Sequence, residues 1–188
     1  MKTSSLEGEI AIGLLLPVTG DLSSHGEENK VGSLLGVADF NTYLEEQGES
    51  WSLKVISEDT ATGPVIALEK AQALKARGVD IVIGPEASSN VRSVMGYANA
   101  NNMLLLSCCS TAPAHAIADD NVFRLVPDDT KQGVAIGKLL QEDDIEHIVP
   151  VWRGDTWGDG LSAETIKSFT ERGGSASEGI RYLSLIHI

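Results

Sequence analysis

IVIGPEASSN, Ile81 to Asn90, decides how the rest of the chain is read. Its first three residues are β-branched and apolar, and Gly84-Pro85 bounds them. So short an apolar run reads as a strand buried on both faces of a parallel sheet. Ser88 and Ser89 then stand where a helix should begin, and Val91, Val94, Met95 and Ala98 recur beyond them at helical spacing. The chain therefore leaves the C-terminal edge of a sheet and enters a helix through two hydroxyl residues. Such a turn offers backbone N–H groups, the positive end of a helix dipole and side-chain hydroxyls, which together suit a small anion such as a carboxylate. Taken alone, the same serines read as ordinary N-caps.

Working outward, strand and helix alternate. Ile10 to Leu16 is a first buried strand, ended by Pro17. The loop PVTGDLSSHGEEN follows. Val31, Leu34, Leu35, Ala38, Phe40 and Leu44 mark a helix that stops near Gly48. Leu53, Val55 and Ile56 form a second strand running into Glu58-Asp59-Thr60, and Pro64 opens a helix lined by Val65, Leu68, Ala71 and Leu74. Met103 to Leu106 is a fourth strand ending in SCCSTAP, and Asn121 to Val126 a fifth. Beyond Pro127 a helix starts near Asp128 to Thr130. Ile148 to Trp152 is a strand, RGDTWGDG a turn, and Leu161, Ile166 and Phe169 belong to the next helix. The expected fold class is α/β: a parallel sheet with helices on both faces, built from right-handed β-α-β units. Ligands in such sheets bind at the C-terminal strand ends. Three of those ends are rich in small hydroxyl residues: the loop after Pro17, the Ser88-Ser89 turn, and Ser107 to Thr111.

The totals exclude several functions. The 188 residues carry 27 acidic and 14 basic side chains, a net charge of −13, which argues against nucleic acid and against anionic lipid as partners. No apolar run approaches the ~20 residues that span a bilayer. No GxGxxG follows the first strand, no GKS or GKT loop appears, and neither GxSxG nor a Ser/His/Asp grouping is present. His25, His115, His147 and His187 lack metal-ligand spacing, so neither a metal nor a cofactor is expected. Asp155 and Asp159 read as a helix cap and a turn residue. Cys108 and Cys109 are adjacent, outside any metal or redox spacing.

Taken together, IAIGLLLPVTGDLSSHGEENKVG, SEDTATGP, GVDIVIGPEASSNV, LLLSCCSTAP, NVFRLVPDDTKQG and WRGDTWGDGL resemble the type I periplasmic-binding-protein family. The resemblance is narrower still to substrate-binding proteins of branched-chain amino acid ABC transporters. It implies two flavodoxin-like α/β lobes joined by a hinge, with the ligand between them. Residues 8–125 would form the first lobe and 126–182 the beginning of a second, incomplete one. It implies that Ser88, with Ser89 beside it, holds the ligand carboxylate. Ser110 and Thr111 would offer a carbonyl and a hydroxyl to ammonium and carboxylate. Trp157 stands where the family has a Tyr closing over the ligand, and His25 on a loop at the cleft mouth. Cys108-Cys109 departs from a Pro- and Gly-like pair. The acidic partner of the ammonium would lie beyond Ile188.

The resemblance implies a binding protein, not an enzyme, working outside the cytoplasm with a membrane permease as partner. A sensing domain of a signalling receptor, or a receptor for amides or urea, would share these motifs. MKTSSLEGEI has no apolar core, so either the protein is cytoplasmic or its true N-terminus is missing; the resemblance, to a family whose members are exported, implies that Met1 is not the native start. LSLIHI, residues 183–188, is expected to be non-native, because it translates one frame of a common sequencing-library adapter. In an exported protein Cys108 and Cys109 could form a vicinal disulfide. The strain of its eight-membered ring favours free, buried thiols.

Overall fold

The computed structural model describes residues 6–183. The expected tail at 183–188 lies outside that range except for Leu183. Contacts divide the described chain into two compact units. One comprises residues 6–108 with Asp120–Leu125, the other Cys109–Asp119 with 126–183.

The first unit is a five-stranded, all-parallel sheet. Its strands are β1 (Gly8–Leu16), β2 (Trp51–Asp59), β3 (Ile81–Ile83), β4 (Leu104–Ser107) and β5 (Val122–Arg124), in the order β2-β1-β3-β4-β5. Its helices are α1 (Ser23–Glu46), α2 (Pro64–Ala76) and α3 (Ser88–Ala100). Successive strand residues point to opposite faces. On one face Leu15, Val82, Leu105 and Val122 pack with Ala67, Ala71 and Leu74 of α2 and Val91, Val94 and Ala98 of α3. Gly13 is small for a reason on this face: a Cβ there would lie 2.9 Å from Leu74 Cδ1. Helix α1 packs over β1 and β2, where Asn41 bonds both backbone groups of Leu53 in place of a neighbouring strand.

Two expectations change here. Helix α1 begins at Ser23, two turns before the apolar periodicity starts at Val31. Residues 23–30 are mostly polar, so burial leaves no stripe to read. What seats this end is Gly26, whose missing Cβ lets α1 press on the Pro17 carbonyl. His25 is therefore an exposed helix residue rather than a loop residue.

The second unit pairs α4 (Thr130–Glu142) with α5 (Thr156–Glu171) over two short parallel ladders. Strand β6 (His147–Ile148) pairs with β8 (Ser175–Ala176), and β7 (Val151–Arg153) with β9 (Ile180–Tyr182). The single strand expected over 148–152 is broken because Pro150 has no N–H for a ladder. Its carbonyl still accepts from Ile180 N–H at 2.8 Å. RGDTWGDG is a turn only as far as Asp155. The Asp155 carboxylate caps α5, accepting from Gly158 N–H at 2.8 Å, so Trp157 and Asp159 are helical. Asp159 accepts both nitrogens of the Arg181 fork, at 2.7 and 2.8 Å, and Trp152 Nε1–H at 2.8 Å. The Arg181 bonds, more than the opposing effect of burial, hold the Asp159 carboxyl below its ordinary range.

The loops after β1 and β2 are tied together by Asp59. It accepts Thr19 Oγ1–H at 2.6 Å, Thr19 N–H at 3.1 Å and Ala61 N–H at 2.8 Å. Burial alone would raise this carboxyl, but these bonds outweigh it and hold it below the usual carboxylate range. A group with a depressed folded pKa stabilises above its unfolded pKa and loses that contribution as pH falls through the folded value. Asp59→Asn should therefore lower the thermal midpoint more near pH 6 than near pH 3. Equal midpoint shifts at both pH values would rule this clamp out.

Candidate functional site

In the first unit, β2 and β3 flank β1 on opposite sides, so the strand order reverses at β1. Crevices for ligands open beyond the C-terminal ends of strands at such a switch point. Three segments meet there: the loop after β1, the Gly84–Ala87 turn after β3, and the end of β4. Ser107 Oγ–H donates to the Pro85 carbonyl at 2.6 Å, and Gly84 N–H to the Leu106 carbonyl at 2.8 Å. From α1, Asn29 Nδ2–H donates at 2.9 Å to Glu86, which is itself buried. The turn that delivers Ser88 is thus braced from both sides.

Ser88 is the first residue of α3 and is buried; Ser89 is half-buried. The cap position belongs to Ala87, with no side-chain cap bond, so neither serine serves as the N-cap. The helical ladder starts with Asn90 and Val91 N–H donating to the Ala87 carbonyl. The N-terminal end of α3 therefore combines a hydroxyl in low-dielectric surroundings with the helix's positive pole. His25 lies in the first turn of α1 and is exposed.

The remaining expected contacts belong to the second unit. Ser110 follows β4 and is buried, its Oγ 3.1 Å from Nδ1 of buried His115. Thr111 Oγ1–H donates to Asp129 Oδ2 at 2.7 Å, and Asp129 N–H donates to the Thr111 carbonyl at 2.9 Å. Asp129 occupies the N-cap position of α4 and is buried. The Thr111 hydroxyl proton is therefore spoken for, leaving an oxygen lone pair and the backbone N–H for a ligand. Trp157 is 38% exposed, with the Arg153 guanidinium 5.6 Å over its ring. Glu86, Asn29, His115 and Asp129 were not singled out from sequence. Each works through a partner distant in the chain or a turn away, a pairing that leaves no periodic signal.

Cys108 and Cys109, the only two cysteines of the chain, are joined in a disulfide. Cys109 is exposed and Cys108 half-buried, which corrects the expectation of free, buried thiols.

Comparison with known proteins now bears on this geometry. The family described as periplasmic binding protein matches residues 9–183. The chain belongs to that family. Its relatives include the uncharacterized protein MJ1266 of Methanocaldococcus jannaschii, 34% identical over 96% of this chain and 45% of that one. The Leu/Ile/Val-binding protein homolog 2 of Brucella abortus is 29% identical over 88% of this chain and 44% of that one. Among solved structures, the branched-chain amino acid transporter substrate binding protein LivJ from Streptococcus pneumoniae, in complex with isoleucine, superposes with a TM-score of 0.76. It shares 20% identity, covering 94% of this chain and 50% of that one. The chain thus spans about half the length of the curated relatives it matches. The family is one of binding proteins rather than enzymes, and the type I periplasmic-binding-protein fold expected from sequence is the fold observed.

Proposed function

We propose that this chain is part of an extracytoplasmic solute-binding protein that delivers a small, carboxylate-bearing ligand to an ABC transporter permease. A branched-chain amino acid is the ligand class we favour, since relatives such as the Brucella protein are Leu/Ile/Val-binding homologues. In this reading residues 8–125 form one lobe, 126–182 begin a second, and ligand lies in the cleft between them. The single observation that carries the proposal is Ser88: a buried hydroxyl on the first residue of α3, beyond β3 and next to the sheet's switch point. Ser88 and Ser89 would hold the carboxylate with α3 N–H groups. Ser110 and Thr111 would approach from the end of β4, and Trp157 and His25 would line the entrance. The Cys108–Cys109 disulfide supports an oxidising compartment. A sensor for the same ligand class is the second reading, favoured if the complete gene encodes a membrane-spanning helix and a signalling domain.

The test is titration calorimetry on the full-length gene product with branched-chain amino acids, their amides and a benzoate. Binding of the amino acids but not the amides is the expected result. Equal affinity for amides would overturn the carboxylate reading, and preference for the benzoate would overturn the amino acid.

A further inference from the structure

The turn that carries Glu86 meets the residues after β4 in a cluster that the solute-binding reading does not use. One side-chain oxygen of Glu86 and the Sγ atoms of Cys108 and Cys109 all lie within 4.8 Å of one another. Glu86 and Cys108 belong to the first unit, and Cys109 is tied to Cys108 by both the peptide bond and the disulfide. Glu86 is 5% exposed. Among the described residues its carboxyl group takes a hydrogen bond from the neutral Asn29 amide and makes no ion pair. A buried carboxylate without a cation beside it is costly, and a bound cation offsets that cost. Sequence spacing does not show this set, because Glu86 comes from the turn after β3 and the cysteines follow β4.

Bonded to each other, the two sulfurs are poor ligands, since the thiolate is the form that binds metal. Reduction changes this. Two electrons and two protons from a thiol reductant break the S–S bond and leave two S–H groups, while two reductant thiols become their own disulfide. A divalent cation then displaces both thiol protons. Two thiolates and a carboxylate oxygen suit Zn²⁺ or its thiophilic congener Cd²⁺, with water as the fourth ligand. Around zinc such ligands stand about 3.6–3.8 Å apart, given bonds of about 2.3 Å to sulfur and about 2.0–2.2 Å to oxygen. The three atoms already lie within reach of that spacing. Asn29, donating to Glu86 Oε2, orients the carboxyl group as outer partners of metal ligands do. We propose that Glu86, Cys108 and Cys109 form a redox-gated site for one zinc-like cation, closed while the disulfide stands and opened when it is reduced. The inference is independent of which solute the protein binds.

Cd²⁺ alone is the probe. The full-length gene product is reduced with a water-soluble phosphine, which leaves as its oxide, water supplying the oxygen and both protons. Kept free of oxygen, it is titrated beside an unreduced sample. The reduced protein should bind one equivalent and show the ultraviolet band of thiolate-to-cadmium charge transfer, and the unreduced protein should lack that band. Cys108→Ser with Cys109→Ser should abolish it. Glu86→Gln should keep both thiols, by thiol titration, and bind Cd²⁺ at least about tenfold more weakly. No band in the reduced protein, an undiminished band in the double-serine variant, or equal affinity in Glu86→Gln would each overturn the proposal. The contrast between reduced and unreduced protein needs no substitution, so it decides the matter even where a variant fails to fold.

Discussion

Ser88→Ala in the full-length protein is expected to weaken ligand binding roughly ten- to a hundredfold, the effect of removing a hydrogen bond worth about 1.5–3 kcal/mol to a charged group. The hydroxyl lies at the buried start of α3, where little solvent competes for a bound carboxylate. Loss of fold should be slight, because the cap position is Ala87 and no side-chain cap bond is broken. Thr111→Val makes an instructive partner. It removes the hydroxyl donor to Asp129 Oδ2 at the buried head of α4. Its cost should appear in stability, about 1–3 kcal/mol, as well as in affinity. Calorimetry with the preferred amino acid, alongside thermal melts, separates the two. An unchanged Kd for both variants would remove Ser88 and Thr111 from the site.

Much of this architecture is legible in the sequence, for identifiable reasons. Ile81–Ile83 stands out as a short β-branched run, but the expectation that it is buried on both faces is corrected by the structure: only Val82, which faces α2 and α3, is fully buried, while Ile81 is exposed and Ile83 half-buried. The alternation of strands with helices α2 and α3 is equally plain, because Ala71, Leu74, Val91 and Val94 must all meet one sheet face, although Val65, expected to line α2, is exposed. The first two turns of α1 are silent because close approach of Gly26 to Pro17, rather than apolar burial, seats them. The break at Pro150 was legible in principle, since a residue without N–H interrupts a ladder. The bracing of the Ser88 turn by Asn29 and Ser107 could not be read. A hydrogen bond between residues 57 or 22 positions apart has no local pattern. The Cys108–Cys109 disulfide could not be read, because two adjacent cysteines carry no spacing that distinguishes a bonded pair from free thiols.

Gly137→Val should be among the most damaging single substitutions in the second unit, and the reason lies in how closely α4 and α5 approach. A Cβ on Gly137 would stand 2.8 Å from Ser168 Cβ and 2.9 Å from Phe169 N; one on Gly133, 2.6 Å from Glu164 Cβ and 2.9 Å from Thr165 N. These obstacles are backbone and Cβ atoms of a packed helix, which no rotamer change relieves. The helices must separate, and the buried contacts of Phe169 loosen with them. Overpacking of this kind costs about 1–3 kcal/mol, and a β-branched side chain facing backbone belongs at or above the upper end. Gly32 and Gly36 on α1 supply the control, because a Cβ at either meets nothing within 4 Å. There, substitution by Ala should stabilise by about 0.5–1 kcal/mol, the helix-propensity gain alone. Gly133→Ala and Gly137→Ala receive the same propensity gain, so any net loss reports the clash directly. Amide exchange read on α4 and α5 peptides, with α2 and α3 as internal reference, resolves which unit opens. Protection in α4 and α5 that survives Gly137→Val would mean that the two helices do not pack at this distance.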